Sequence, residues 1–126
     1  MAYYIFNLSG SDARSRADAS LRRRHWSVAA DERHGDALAP GDLVLLYLAA
    51  PERTFIGRAE LASARTGGGV TLADVEEWDP PVPMSTVLAE IDTSAGARAD
   101  FDTGIVRITE TEYETALRAA TARGDA

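Results

Sequence analysis

Serine and histidine are the residue types in this chain from which a nucleophilic site could be built. Ser9 and Ser11 lie in a glycine turn after an apolar strand, where a reactive serine could stand. The G-x-S-x-G pattern of a hydrolase elbow is absent, and neither His25 nor His34 is placed to activate a serine. The chain also lacks cysteine and lysine. Thiolate zinc sites, cysteine nucleophiles, Walker-type phosphate loops and Schiff-base chemistry are therefore excluded.

Acidic and glycine-rich segments carry no recognisable motif either. Asp74, Glu76, Glu77 and Asp79 could ligate a hard cation, but they lack the order of an EF-hand loop, so we interpret them as a solvated acidic face. The three glycines at 67–69 have no GK[ST] sequence after them and indicate a hairpin turn. The sequence predicts no enzyme, no metal site and no cofactor.

Arginines followed by a tryptophan form the most informative cluster. Arg22, Arg23 and Arg24 precede His25 and Trp26. Guanidinium groups bind phosphate and an aromatic ring stacks on a base, a combination that proteins use for single strands or flipped bases. Two other interpretations stay open at this point. Trp26 could instead fill the core at a helix end, and Trp78, before a proline run, could be a lid over that core.

The charge distribution adjusts this interpretation. The formal net charge is −7, and all thirteen basic residues are arginine. Residues 1–65 hold nine arginines and eight acids (+1), whereas residues 66–126 hold four arginines and twelve acids (−8). A nucleic-acid-binding protein is usually basic overall. A local basic edge can nevertheless attract phosphate while the rest of the surface repels it.

Apolar patterning predicts the elements that must position these residues. A strand is expected over 3–8, and 11–25 fits a helix with a narrow apolar stripe or a mobile loop. The wholly apolar run 43–48 follows a Pro-Gly turn and predicts a strand buried on both faces. Residues 54–62 alternate, which predicts a half-buried antiparallel partner with one apolar side, formed by Phe55, Gly57, Ala59 and Leu61.

The second half of the chain continues the mixed pattern. A strand is expected near 70–75 and a short helix over 85–90. The three prolines of 78–83 exclude a central strand or a helix interior there and predict an extended crossing segment. A last strand at 104–108 precedes a helix started by a capping box of Thr109 and Glu112. We therefore predict a single domain over 1–126 of the α+β class, a small mixed β-barrel of five or six strands with short peripheral helices.

In this order and spacing, the motifs resemble the EVE family of the PUA-like superfamily, to which the YTH and ASCH domains also belong. The resemblance covers about residues 2–120. It is carried by the opening aromatic strand YYIFN, the tripeptide WSV, the segment PGDLVLLY, the strand FIGRAEL and the final GIVRI before a helix with Glu112 and Tyr113. The chain departs from the family in lacking a glycine between Trp26 and Val28 and in its net negative charge.

The resemblance implies a PUA-like barrel with a pocket for a base drawn out of a nucleic-acid strand. By position, Trp26 would stack on the base or form a wall of the pocket, and Tyr47 would close one side. Asn7, Ser9 and the backbone of Ser27 and Val28 would bind the base edge. Trp78 and Phe101 would lie nearby, and flanking phosphates would contact Arg22, Arg23 and Arg24.

The implied function is a binding module that reads a methylated or hydroxymethylated base in DNA, with a nuclease or restriction system as the expected partner. RNA binding and binding of a nucleotide or another small molecule remain alternatives. No apolar run approaches the length of about 20 residues needed to cross a bilayer. We expect a cytoplasmic protein without membrane contact.

Overall fold

The computed structural model describes residues 1–29, 32, 35–49, 52–88 and 105–124. The elements in these residues, in chain order, are β1 (Tyr3–Leu8), α1 (Ala13–Arg23), β2 (His25–Ser27), a 3-10 turn (Gly35–Ala37), β3 (Leu43–Leu48), β4 (Thr54–Leu61), β5 (Gly69–Pro83), α2 (Met84–Leu88), β6 (Ile105–Ile108) and α3 (Glu110–Gly124). None of the helices in this part of the chain has the length and apolar composition of a membrane-spanning segment.

The strands form one curled, mixed sheet, a half-barrel of the predicted α+β class. Across the described residues its six strands run in the order β2-β5-β4-β3-β1-β6. Strands β1 and β3 are parallel, and the other neighbouring pairs are antiparallel. The parallel pair requires a crossover, and the chain between β1 and β3 supplies it with α1 and β2.

Each face of the sheet buries its own apolar cluster. On the first face, α1 packs its buried residues Ala13, Ala17 and Leu21 over Phe6 and other strand residues. On the second face lie the core side chains that pack with α3, including Ile5, Tyr47, Phe55, Val82, Tyr113 and Ala116. Strand β3 contributes to both clusters, which confirms the prediction that both of its faces are buried.

The Pro-Gly-Asp segment before β3 joins that strand to the start of β1. The carboxylate of Asp42 is buried and accepts hydrogen bonds from the backbone N–H of Ala2 at 2.9 Å and of Ala39 at 3.0 Å. A buried carboxylate needs such donors, because burial without them costs several kcal/mol. Asp42 therefore closes the turn and holds the first residues of β1 beside β3.

Strand β4 does not alternate as the sequence predicts. Its register against β5 shifts at two places, so Phe55 belongs to the core under α3 while Ala59 and Leu61 belong to the core under α1. A bulge adds residues on one strand and changes the faces to which the following side chains point. Gly57 lies at the first shift, where a Cβ atom would overlap the carbonyl oxygen of Glu76.

Strand β5 includes the proline-rich segment that we predicted to be an extended crossing segment, neither central strand nor helix; it is extended and, among the described strands, paired with β4 alone, but it belongs to the strand. Phe55 pairs with Val82 and Gly57 pairs with Glu77, so the four residues 78–81 of β5 stand opposite Ile56 alone. Prolines are tolerated there because residues in a bulge donate no ladder hydrogen bond. In addition, β2 pairs only with residues 69–71 of β5, so in the described part of the chain the proline-rich part of β5 has a partner strand on one side only. The expected strand near 70–75 and the extended segment form one strand, β5.

The remaining elements, apart from β2 and the 3-10 turn, agree with the sequence predictions. At the start of α3, the Thr109 N–H donates to Glu112 Oε1 at 2.8 Å, and the Glu112 N–H donates to Thr109 Oγ1 at 3.1 Å. These reciprocal bonds confirm the capping box. Helix α2 is a single short turn that begins one residue before its predicted start, and β6 occupies 105–108.

Candidate functional site

Helix α1 lies on the sheet with a cavity along each flank. Its buried stripe is narrow, because Ala13, Ala17 and Leu21 are spaced four apart and form a single row along the helix. The two neighbouring faces of the helix are consequently free to line surface cavities. We call these the α1–β5 cavity, with a volume of about 380 Å³, and the α1–β2 cavity, with a volume of about 280 Å³.

The α1–β5 cavity forms between the first half of α1 and the bulge of β5. Arg14 and Asp18, one helical turn apart, line it from α1, and the other lining residues are Ile56, Glu77, Trp78 and Pro81. The cavity has an apolar floor and is lined by one positive and two negative side chains. Its volume lies within the range of about 300–1,000 Å³ that is usual for small-ligand sites.

Trp78 in this cavity is half-buried and held in place. Part of its ring packs against the core under α3, and part lines the cavity. Its indole Nε1–H donates to Glu76 Oε1 at 2.9 Å, and Glu76 Oε2 lies 3.5 Å from Arg58 Nε. Burial raises the pKa of the Tyr113 hydroxyl, and the positive charge of Arg58 beside it opposes that rise. The charged pair thus links the orientation of Trp78 to the α3 side of the sheet.

The α1–β2 cavity forms on the opposite flank of α1. Its base consists of Leu8, from the end of β1, and Trp26, from β2. The rim consists of Ser27 and of residues on α1 or directly before it. These are Asp12, Ser15, Arg16, Ala19, Ser20 and Arg23. Trp26 is only 2% exposed, and its ring centroid lies 5.9 Å from that of Phe6. Trp26 is therefore a core residue whose edge reaches the cavity.

Two arginines of this rim are anchored, one by the turn that precedes α1 and one by the helix backbone. Arg16 Nε lies 3.2 Å from Asp12 Oδ1, and a second nitrogen of Arg16 donates to the Ser9 carbonyl oxygen. Arg23 Nε donates to the Ala19 carbonyl oxygen at 3.4 Å. The two arginines are seven residues apart, which places them on the same face of the helix about 10 Å apart along its axis.

The structure divides the residues predicted for one base pocket among several places. Trp26 and Ser27 line the α1–β2 cavity, whereas Trp78 lines the α1–β5 cavity. Tyr47 is fully buried in the core under α3, where its hydroxyl donates to Met84 Sδ at 3.2 Å. Since Trp26 belongs to the core on the other face of the sheet, Tyr47 and Trp26 do not line a common pocket.

The other predicted pocket residues line neither of these cavities. Val28 is buried in the core under α1. Asn7 is partly buried on β1 opposite Tyr47, and Ser9 is exposed with its carbonyl oxygen bonded to Arg16. Phe101 lies outside the described residues.

The three consecutive arginines predicted to bind phosphate are exposed. Neighbouring residues on a helix are separated by about 100°, so Arg22 and Arg23 lie on different faces of α1. Of the three, Arg23 lines the α1–β2 cavity. Arg24 ends the helix in the left-handed conformation with φ 52°, and its backbone N–H caps α1.

Several cavity residues were missed by the sequence analysis, although their spacing offered a signal. Arg14 and Asp18 are four residues apart and adjoin the predicted apolar stripe, which places them on one flank of the helix. Arg16 and Arg23, seven apart, lie together on the other flank. The contribution of Ile56 and Pro81 depends on the bulge of β5, which no local pattern predicted.

Comparison with known proteins gives similarity in structure without similarity in sequence. No family model matches the chain. No curated protein matches it either.

Solved structures, in contrast, match over nearly the whole chain. A protein from Leishmania major has a TM-score of 0.74 at 14% identity, covering 98% of this chain and 97% of its own. ASCH from Zymomonas mobilis has a TM-score of 0.61 at 12% identity, covering 93% and 94%. The YTH domain-containing protein mmi1, solved as an RNA complex, has a TM-score of 0.63 at 16% identity, covering 96% and 80%. ASCH and YTH domains are PUA-like, and this chain therefore has the PUA-like fold.

Proposed function

We propose that this chain is a nucleic-acid-binding module that accepts one unstacked base in the α1–β5 cavity, against Trp78. The observation that carries the proposal is the partly exposed tryptophan, fixed by Glu76, in a cavity of about 380 Å³. Its activity is binding rather than catalysis.

Stacking requires an aromatic ring with an accessible surface. Trp78 has such a surface within the cavity, whereas Trp26 is 2% exposed and already packs on Phe6. A base that stacks on an aromatic side chain gains about 1–3 kcal/mol. Removal of a base from a duplex costs a few kcal/mol, and least for a base that is already unpaired. The stacking role that the sequence suggested for Trp26 is therefore assigned to Trp78.

Polar groups around Trp78 favour a base with an amino group. Asp18 and Glu77 contribute carboxylates to the cavity, and carboxylates accept hydrogen bonds from the amino group of cytosine. Arg14 supplies donors for a carbonyl or ring nitrogen in the same space. Thymine and uracil lack an exocyclic amino group, so we expect them to bind more weakly than cytosine.

Phosphate contacts would come from the arginine-rich edge of α1. Arg22 and Arg24 are exposed at its C-terminal end, beside Arg23. In this region arginines outnumber carboxylates, whereas the second half of the chain carries a formal charge of −8. A strand would be drawn to the α1 side of the molecule and repelled by the other side. The resulting affinity should fall with increasing salt.

Two polymers are candidates, each for a separate reason. The EVE-like sequence motifs favour DNA with a methylated or hydroxymethylated cytosine, with a nuclease as a candidate partner. The RNA complex of the similar YTH domain-containing protein favours single-stranded RNA as the second candidate. One methyl group contributes about 1–3 kcal/mol to discrimination, so a modified base would be preferred rather than required.

Titration of the protein with short oligonucleotides at low and moderate salt tests the proposal. The set comprises DNA duplexes with cytosine, 5-methylcytosine or 5-hydroxymethylcytosine, and matched single-stranded DNA and RNA. Binding is followed by the indole N–H signals in ¹H–¹⁵N NMR spectra, because the chain has only two tryptophans. We expect the Trp78 signal to move. The oligonucleotide with the highest affinity then identifies the preferred polymer.

A pair of variants decides whether Trp78 carries the binding. Trp78→Ala should weaken binding by roughly 5- to 150-fold, the loss of one stacked base. Tyr3→Ala removes another partly buried aromatic side chain, outside both cavities, and should leave the affinity unchanged. Equal affinities of Trp78→Ala and the unaltered protein would refute base stacking at this site. Absence of binding to every polymer would refute the nucleic-acid proposal as a whole.

A further inference from the structure

We infer that the α1–β2 cavity is a second site, which binds a phosphate group. It lies on the flank of α1 opposite to the proposed base cavity. The inference does not depend on base stacking at Trp78, because it rests on a different set of side chains.

The α1–β2 cavity has an apolar floor and a rim of hydrogen-bond donors that suit an anion. Arg16 and Arg23 stand on the same face of α1, and three serine hydroxyls, of Ser15, Ser20 and Ser27, share the cavity with them. The arginine fork matches the geometry of phosphate oxygens, and hydroxyl groups supply further donors. The opposing charge is one carboxylate, that of Asp12, which is already paired with Arg16 at 3.2 Å.

The arginines retain donors after their contacts within the protein. A guanidinium group has five N–H donors. Arg16 uses donors toward Asp12 and the Ser9 carbonyl oxygen, and Arg23 uses its Nε–H toward Ala19. These contacts fix the stems of both side chains along the helix and leave other N–H groups available at the cavity. A fixed guanidinium loses less conformational entropy when it binds an anion.

The charge of the two cavities differs in sign. The α1–β2 cavity has two arginines and one carboxylate, which gives a formal +1. The α1–β5 cavity has one arginine and two carboxylates, which gives a formal −1. An anion is therefore favoured on the β2 flank and disfavoured on the β5 flank. Each cavity also contains one tryptophan, so each has its own spectroscopic reporter.

Inorganic phosphate, titrated at constant ionic strength against chloride, is the first probe. We expect saturable shifts of the Trp26 indole signal and of the Ser20 and Ser27 amide signals, with a smaller shift for Trp78. The double variant Arg16→Gln/Arg23→Gln should weaken phosphate binding at least tenfold. Arg14→Gln, which removes one positive charge from the other flank of α1, should leave it unchanged. Thermal unfolding of each variant verifies that it is folded.

The source of the phosphate is distinguished by competition. An oligonucleotide with a 5′-phosphate and the same oligonucleotide with a 5′-hydroxyl are each added to the phosphate-bound protein. Competition by both assigns the site to phosphodiesters of a strand, and competition by the phosphorylated one alone assigns it to a phosphomonoester.

Three results would overturn the inference. They are shifts that do not saturate, shifts confined to Trp78, and equal weakening by Arg14→Gln and the double variant. The titration uses inorganic phosphate, which has no base. A negative result would therefore leave the proposal of base binding at Trp78 intact. Loss of base binding would equally leave the phosphate site standing.

Discussion

The two flanks of α1 are built from similar parts with opposite properties. Each has a cavity with one tryptophan, supplied by β2 on one side and by β5 on the other. Trp26 is 2% exposed and part of the core, while Trp78 is half-buried and bonded to Glu76. The β2 flank is formally positive and the β5 flank formally negative. The same residue type is therefore structural on one flank and available for a ligand on the other.

The backbone around each tryptophan explains the difference. Trp26 is the central residue of a three-residue strand and pairs with Val70, so its side chain points into the core under α1. Trp78 is the first residue of the four-residue bulge in β5, away from regular pairing. A residue in the ladder has its side chain directed by the pleat, whereas a bulge redirects it.

Replacement of each tryptophan should give the largest contrast between the flanks. We expect Trp26→Ala to lower the free energy of unfolding by about 3–5 kcal/mol, since it leaves a cavity in the core. Trp78→Ala should cost less than half as much, because part of its ring is already exposed. Urea denaturation followed by circular dichroism measures both values. Equal losses would mean that the two tryptophans are equivalent core residues.

The bulge that presents Trp78 can be disturbed at Gly57. Gly57→Ala should lower the free energy of unfolding by about 1–3 kcal/mol, because the added Cβ meets the backbone of Glu76. The Trp78 indole signal should shift as the bulge adjusts, whereas the Trp26 signal should stay in place. Gly41→Ala is the control for backbone strain alone, since Gly41 has φ +92° and open space around its Cβ position. A Gly57→Ala protein with unchanged stability and spectra would contradict the close approach.

The connection between α1 and β2 contains a strained residue that can be relieved. Arg24 has φ 52°, a conformation that costs a side-chain-bearing residue about 1–2 kcal/mol and glycine almost nothing. Glycine loses more conformational entropy on folding than arginine does, which offsets part of this gain. Arg24→Gly should therefore raise the free energy of unfolding by about 0.5–1 kcal/mol. Arg22→Gly, within the last turn of the same helix, should lower it by about as much. A loss of stability in both variants would exclude strain at Arg24.

Removal of the Glu76 carboxylate should have the smallest effect on stability. Glu76 is exposed, and its contact with Arg58 is a surface ion pair, so Glu76→Ala should cost about 0.5 kcal/mol or less. The Trp78 indole N–H loses its acceptor, and its NMR signal should shift while that of Trp26 does not. Glu114→Ala on α3 provides a control for removal of an exposed carboxylate. An unmoved Trp78 signal would show that Glu76 does not fix the ring.

Much of the fold was accessible from local patterns. The spacing of Ala13, Ala17 and Leu21 indicated the narrow buried stripe of α1, and the reciprocal pair of Thr109 and Glu112 indicated the start of α3. These signals are reliable because a helix repeats every 3.6 residues and its first N–H groups need partners. The site was less accessible, since its two tryptophans look alike in the sequence and only their pairing separates them.

By itself, the sequence determined the fold class, the order of most elements and the absence of lysine and cysteine chemistry, because these follow from composition and from patterns within a few residues. The tertiary structure decided the remainder. The register between β4 and β5 created the bulge, which joined two expected segments into one strand and exposed Trp78. The spacing of Arg14 and Arg16 already places them on different flanks of α1, and the packing of that helix over the sheet turned the two flanks into cavities with one tryptophan each. Register and packing are contacts between distant segments, and no local pattern specifies them.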